Sequence, residues 1–324
     1  MRNRRLVAVA VLAAALAAAV AFAARAGSSD HVDVTLDWTP NPDHVGLYYA
    51  QKTGLFTKAG LDVAIHAPSD PTATLKLVAA GRSDLAVSYE QEVFFAAAKK
   101  LPVVAVAALV PHPLNSFMSI DPKVHTLADL RGKTIGITGV PSDYATLKSA
   151  GLAGKAKVVT VGYNLLPALL SHRVDAVLGV YRNVEGVQLQ LRKLHPTIVP
   201  VDHAGVPTYD ELVLVANEKR LADPAYRSEV QRFVTAFLAG TAAARSHPAK
   251  ALSVLKQVTA SDAKFLARAT PLTLRLLAGP HGVGCVNVAE WQRFGNWMKA
   301  RGLVKQRIAA SAVVTTRFLP TRCR

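Results

Sequence analysis

From residue 31 onward, apolar positions follow two alternating rhythms. Short runs alternate apolar and polar side chains or stay apolar throughout, as strands do. Longer stretches repeat apolar positions at three- and four-residue spacing, as helices do. "HVDVTLDW" (31–38) reads as a strand. "HVGLYYAQKT" (44–53) reads as a helix, with Asp43 placed to cap its start and Gly54 its end. "LDVAIHA" (61–67) is the next strand. The helix after it is expected to be capped by Ser69 or Asp70, with Pro71 in its first turn and Gly81 at its end. "DLAVS" (84–88) and "PVVAVAALV" (102–110) are a third and a fourth strand. This strand–helix–strand order predicts an α/β chain with a mostly parallel sheet covered by helices.

The rhythm then restarts. "KTIGIT", "KVVTVGY", "DAVLGVY" and "DELVLVAN" are strands, separated by helices in "YATLKSAG", "LLPALLSH" and "VEGVQLQLRKLH". From about Pro224 the pattern is mostly helical, as in "AYRSEVQRFVTAFLAGTAAARSH" and "VAEWQRFGNWMKARG". Phe94, Phe95, Trp291 and Trp297 sit at helical spacing and are expected in the core. The two units share a phrase. "AAGRSDLAVSYEQE" (79–92) and "LLSHRVDAVLGVYRNVE" (169–185) both run from a helix end through Arg-x-Asp into a short apolar strand, then a Tyr and a Glu. In open α/β sheets the carboxyl ends of strands carry ligands, so each unit offers a Tyr and a Glu from an equivalent edge.

The N-terminus follows another rule. "MRNRR" precedes the apolar run "LVAVAVLAAALAAAVAFAA", and "ARA" before Gly27 fits a small-x-small cleavage site. Residues 1–26 are therefore a signal peptide or an uncleaved N-terminal anchor, and the protein is expected to be exported, to the periplasm or the outer face of the cytoplasmic membrane. No cysteine follows this run to carry a lipid.

The 324 residues suffice for two lobes, and the apolar fraction of 51% supports a sizeable core. The net charge of +16 includes Arg2, Arg4, Arg5 and Arg25 of the leader. The remaining basic residues are scattered and read as solvated surface, with no nucleic-acid partner expected. In an oxidising compartment the two cysteines, Cys285 and Cys323, form a disulfide or remain free thiols. His44, His66, His112 and His125 have no chelating spacing, so no metal site is expected.

Candidate chemistry gathers at the strand ends. Trp38, Asn41 and His44 follow the first strand, and Tyr89 and Glu90 the third. Asn115, Ser116 and Ser142 lie at later ends, with Tyr181, Asn183 and Glu185 beyond them and Tyr209 and Glu211 before the last strand. Aromatic, acidic and amide groups without an arginine fork suit a flat neutral or weakly basic ring: aromatics stack on its faces and carboxylates accept from its amino edge. Ser142 begins a helix, where backbone N–H groups could hold a ligand oxygen or the residue could simply cap. Trp38, on a turn where burial is hard, is expected to be one wall of a slot. Tyr209 either joins it or packs in the core.

Several stretches together resemble a known family: "LDWTPNPDHVGLYYAQKTGLF", "LKLVAAGRSDLAVSYEQE", "VVAVAALVPHPLNSFM", "LADLRGKTIGI", "DAVLGVYRNVEGVQL" and "GVPTYDELVLVANEK". They are similar to the extracytoplasmic substrate-binding proteins of ABC importers, in the branch that takes thiamine-pyrimidine precursors. The resemblance covers residues 31 to 302. It implies the two-lobed type II periplasmic-binding-protein fold with a ligand cleft between the lobes. Lobe 1 would comprise 31–117 and 216–324, and lobe 2 118–215, with crossovers near Phe117 and Val215. It also implies an aminopyrimidine stacked on Trp38, a carboxylate of Glu185 or Glu211 on its amino group, further walls at Tyr89 and Tyr181, a membrane permease as partner, a monomer, and no cofactor. Arg182 stands where a smaller residue would be unsurprising. Riboflavin or another small organic solute is the alternative ligand. The related pyrimidine synthases need a Schiff-base lysine and a histidine four residues later. Here Ser88 and Glu92 occupy those positions, and neither can serve. No G-x-S-x-G elbow supports a hydrolase.

Overall fold

A computed structural model describes residues 29–70 and 73–323. The expected leader and Pro71 lie outside the described residues. Ten strands carry the architecture: β1 (Asp30–Thr35), β2 (Leu61–His66), β3 (Leu85–Ser88), β4 (Val103–Val110), β5 (Asn115–Ser119), β6 (Thr134–Ile137), β7 (Lys157–Thr160), β8 (Ala176–Tyr181), β9 (Thr197–Pro200) and β10 (Leu212–Asn217). They form two five-stranded sheets ordered β2-β1-β3-β10-β4 and β7-β6-β8-β5-β9. The two orders are equivalent. In each, three parallel strands are followed by an antiparallel strand reached from the other half of the molecule.

This exchange sets the two passages between lobes. The chain crosses at 111–114 and returns at 201–211, a few residues before the expected positions. Phe117 pairs with Leu178 and Val199 inside the second sheet, and Val215 pairs with Ala86 and Ala105 inside the first. Both side chains are buried. The polar lettering of "NSFMS" conceals β5, whose Ser116 and Ser119 hydroxyls donate to Leu114 O and Asp175 O and so satisfy their own burial.

The phrase shared by the two units has a structural cause. Asp84, just before β3, accepts the Asp33 N–H of β1 at 3.0 Å, and Asp175, just before β8, accepts the Thr134 N–H of β6 at 2.7 Å. Each aspartate pins the third strand of its lobe to the first. Tyr89 and Tyr181 then leave equivalent strand ends.

Helix starts depart from expectation at two places. Asn41, rather than Asp43, caps the turn Pro42–His44 that leads into helix Val45–Lys52, and its Oδ1 accepts the Asp43 N–H at 2.8 Å. Pro42 holds the first turn position, so the cap is the residue before it. The helix expected from Ser69 or Asp70 is described as Thr74–Ala79. Its glycine stop, Gly81, is left-handed at φ +68°, as is Gly54 at +73°.

Helices from Pro224 onward build up the first lobe. Pro224–Ser246 packs against Val45–Lys52, and a Cβ on Gly240 would lie 2.6 Å from Ala50 Cβ, so only glycine permits that approach. Trp291 and Phe94 are buried as expected, with ring centroids 5.9 Å apart, while Phe95 and Trp297 are half-buried. The C-terminal tail lies along β4, the edge strand of the first sheet, through Ala105 N–H to Val313 O and Thr315 N–H to Ala105 O. An edge covered in this way offers no template for aggregation. Cys285 and Cys323 are disulfide-bonded across 38 residues, which fastens the same tail. Loop closure of that length is worth about 4 kcal/mol in the chain-entropy picture. We predict no reactive thiol in denatured, unreduced protein, and a stability loss of up to about 4 kcal/mol on reduction, read by urea unfolding.

Candidate functional site

The carboxyl ends of β1 and β3 face those of β6, β7 and β8 across a cleft. Two adjoining chambers occupy it, of about 230 and 360 Å³. Both are walled by Asp37 and Trp38 from the turn after β1, by Tyr89, and by Tyr163, Gly179 and Tyr181 from the second lobe. Trp38 is 39% exposed, and its ring centroid lies 5.3 Å from that of Tyr163. The two rings come from opposite lobes and line both chambers. Trp38 is thus a wall of the cleft.

Behind Trp38 lies a buried polar chain. Asp37 Oδ2 accepts the Tyr89 hydroxyl at 2.8 Å, and Oδ1 pairs with His44 Nε2 at 2.7 Å. His44 Nδ1 accepts the Asn41 N–H at 3.2 Å. Both ring nitrogens are therefore engaged, which makes Nε2 the protonated one. His44 is fully buried and lies outside the cleft walls. It holds Asp37, which holds Tyr89, and so fixes two walls at one remove.

Glu211 has a comparable task between the lobes. Its Oε2 accepts Leu114 N–H at 2.7 Å, Asn115 N–H at 3.0 Å and the Tyr209 hydroxyl at 3.0 Å. Its Oε1 accepts the Tyr181 hydroxyl at 3.3 Å. Burial pushes the carboxyl up, against these four donors. Burial also pushes the Tyr89, Tyr181 and Tyr209 phenols well above their ordinary value, so all three are hydrogen-bond donors at neutral pH. Tyr209 packs on Phe294 at 4.8 Å and belongs to the core.

Asn115 lines the first chamber, where its Oδ1 accepts Gly179 N–H at 3.1 Å. Gly179 adopts φ +107°, where a Cβ would meet Leu165 and Thr138 at 3.1 Å, so glycine lets the backbone form this wall. Ser142 lines the same chamber from the first turn of helix Pro141–Ser149. Ser116 is fully buried and faces away from both chambers. Glu185 and Asn41 line the second chamber. Glu185 Oε2 accepts Tyr181 N–H at 2.7 Å, and burial pushes its carboxyl up.

Two more expected site residues lie outside the cleft. Glu90 begins helix Glu90–Ala98, turns into the core and accepts Asp210 N–H at 2.7 Å. It differs from Glu185 because it follows its tyrosine directly, whereas three residues separate Tyr181 from Glu185. Asn183 is buried and binds across the lobes to Asp43 and Thr273. Arg182 lines neither chamber. Conversely, Asp37, Glu92, Asp143 and Tyr163 are cleft residues that strand-end reasoning passed over. Tyr163 was readable, since it ends "KVVTVGY". Asp143 Oδ2 accepts the Thr138 hydroxyl at 2.6 Å and Gly139 N–H at 2.9 Å.

Five carboxylates line the chambers: Asp37, Glu92, Asp143, Glu185 and Glu211. Among the described residues, no lysine, arginine or histidine does. Such a cleft favours hydrogen-bond donors and cations and repels phosphate or sulfonate.

The two-lobed fold is that of periplasmic substrate-binding proteins. The solved structure of the periplasmic aliphatic sulphonate binding protein SsuA from Escherichia coli superposes with a TM-score of 0.68, over 88% of this chain and 97% of that one, at 16% identity. The family model described as NMT1/THI5 like matches residues 41–251, and the chain belongs to this family. A Haemophilus influenzae protein named for thiamine biosynthesis is 34% identical over 295 residues, 87% of this chain and 90% of the other. A formylaminopyrimidine-binding protein of Halalkalibacterium halodurans is 35% identical over 297 residues, 86% and 88% of the two chains. A 4-amino-5-hydroxymethyl-2-methylpyrimidine phosphate synthase of Legionella pneumophila is 25% identical, covering 89% and 92%.

Glu211→Ala strips the Leu114 and Asn115 N–H groups of their acceptor in a buried place. A stability loss of about 3 kcal/mol is expected in urea unfolding, from roughly 1–3 kcal/mol per orphaned group. Glu211→Gln, which keeps one acceptor oxygen, should lose less.

Proposed function

We propose that this chain is the extracytoplasmic solute-binding protein of an ABC importer. It captures a 4-amino-2-methylpyrimidine of the thiamine-precursor type and delivers it to a membrane permease. The observation that carries this reading is the lining of the cleft, where five aromatic rings (Trp38, Tyr89, Tyr163, Tyr181 and Phe265) and five carboxylates converge without a cation. An aminopyrimidine is flat and neutral or weakly basic, and its amino group donates. The formylaminopyrimidine-binding relative supports the same ligand class.

The roles follow from hydrogen-bond capacity. Trp38 supplies the stacking face. Glu211 already receives four donors, whereas Glu185 has only its Oε2 occupied, so Glu185 Oε1 is the better acceptor for the exocyclic N–H. Asn115 spends its oxygen on Gly179 and keeps its amide N–H groups for a ring nitrogen. Tyr89 and Tyr181 complete the walls.

The protein on this reading binds without turnover. Ser88 and Glu92 line the first chamber where a synthase would need its lysine and histidine. The carboxylate lining also disfavours a phosphorylated product or cofactor. Export by the N-terminal leader fits this role.

Titration calorimetry with formyl-aminomethyl-pyrimidine, hydroxymethyl-pyrimidine and riboflavin tests the assignment. Binding of a pyrimidine is expected, and Trp38→Ala and Glu185→Gln should each cost about 1–3 kcal/mol. If neither pyrimidine binds at about 100 μM, roughly −5.5 kcal/mol, the ligand assignment fails. A yellow protein that binds only riboflavin would replace it.

A further inference from the structure

The contact between Asp43 and Asn183 joins the two lobes beside the cleft. Asn183 Nδ2 donates to Asp43 Oδ1 at 2.6 Å and to Thr273 Oγ1 at 2.9 Å. Both side chains are buried, at 2% and 1% exposure. The other oxygen of each, Asp43 Oδ2 and Asn183 Oδ1, is buried with no hydrogen-bond partner. Two orphaned acceptors on a pair already joined by one bond are costly. A proton on Asp43 Oδ2 removes the cost, because it turns one acceptor into a donor for the other.

We propose that Asp43 and Asn183 form a proton-dependent latch between the lobes: Asp43 takes a proton from solvent and donates it through Oδ2 to Asn183 Oδ1, while Asn183 Nδ2 donates to Asp43 Oδ1. The carboxylic acid and the carboxamide then pair through two hydrogen bonds. The latch is well placed to position the site. Asn183 lies between Tyr181 and Glu185, two walls from the second lobe. Asp43 lies between Asn41, which lines the second chamber, and His44, which holds Asp37 next to Trp38. One pair therefore ties the Trp38 turn to the loop that carries Tyr181 and Glu185.

The surroundings favour the neutral acid. Burial raises the Asp43 carboxyl to about 7, and Asp37 and Glu185 push in the same direction, while His44 and the Asn183 bond oppose them. Helix Ala263–Leu276 presents Thr273 to the pair, and its Lys264, Arg268 and Arg275 are exposed. β4, which also packs on this turn, carries no titratable side chain. The acid sits near 3.8 in the unfolded chain and higher in the folded one, so the folded protein holds the extra proton between those values. The latch's contribution to stability is full below about 4, declines above it and is lost as the folded carboxyl releases its proton through about 7.

The latch rests on the binding reading only for its effect on affinity, so its test needs no ligand. Urea unfolding of the ligand-free protein between pH 5 and 8 should show a folding constant that falls by up to about a hundredfold more in the wild type than in Asp43→Asn, at most a decade per pH unit for one proton. Asp43→Asn replaces the O–H donor with N–H and pairs amide to amide at every pH. Asp210 and Glu229 are also raised to about 7, so the difference between the proteins is the readout. Asn183→Asp, a second acid in the pair, should steepen the wild-type dependence. Small-angle scattering should show the wild-type radius of gyration rising with pH as the lobes part, and Asp43→Asn unchanged. Equal pH dependence in wild type and Asp43→Asn, or an Asn183→Asp profile no steeper than wild type, overturns the latch. Failure of pyrimidine binding with these results intact removes the ligand assignment and leaves the latch.

Discussion

The Glu211 carboxylate is the point through which both passages between the lobes are joined. It sits at the end of the returning passage and accepts two backbone N–H groups from the outgoing one, at Leu114 and Asn115. A buried carboxylate with four donors is held rigidly, and each donor offsets part of its desolvation. The consequence reaches the cleft directly. Asn115 orders Gly179, and Tyr181 donates to Glu211 itself, so the walls supplied by the second lobe are referred to the crossover. The first lobe has a parallel device in Asp37, which His44 and Tyr89 grip from two sides.

These supports explain how one fold can hold unlike ligands. The Escherichia coli sulphonate-binding structure shares this fold at 16% identity, and a sulphonate is an anion. Here the strand ends bring carboxylates and aromatic rings to the cleft between the lobes, and no cation among the described residues accompanies them. Fold fixes where a ligand sits, and the charge of the strand-end side chains decides which ligand it is. Some of those carboxylates are spent on structure. Glu211 braces the crossover and Asp143 orders the turn at Thr138–Gly139, which leaves Glu185 and Glu92 with more capacity for a ligand.

Much of this was legible in the chain. Eight of the ten strands and the repeat of the unit follow from period and turn chemistry, and the rule that ligands sit at carboxyl strand ends singles out Trp38, Tyr89 and Tyr181, which line the cleft. The repeated Arg-x-Asp also carried information, since Asp84 and Asp175 perform the same pinning in each lobe. β5 escaped notice because its serines satisfy themselves locally and so break the apolar rhythm of a buried strand.

Local pattern determined most of the strands and helices, though not β5 or β9, because period and capping depend on neighbours a few positions away. It also determined that acids and aromatics, not cations, cluster at the strand ends. Which of those acids line the cleft was decided only by the tertiary structure. Glu90 and Glu185 both open a helix after a strand-end tyrosine, yet one reaches Asp210 in the core and the other lines the cleft. His44 and Asn183 look like ligand groups in the chain but are consumed by Asp37 and Asp43. A hydrogen bond between residues 140 positions apart leaves no trace in local spacing. Side-chain direction at a loop is set by the partner it meets across space, and that partner exists only once the two lobes have formed.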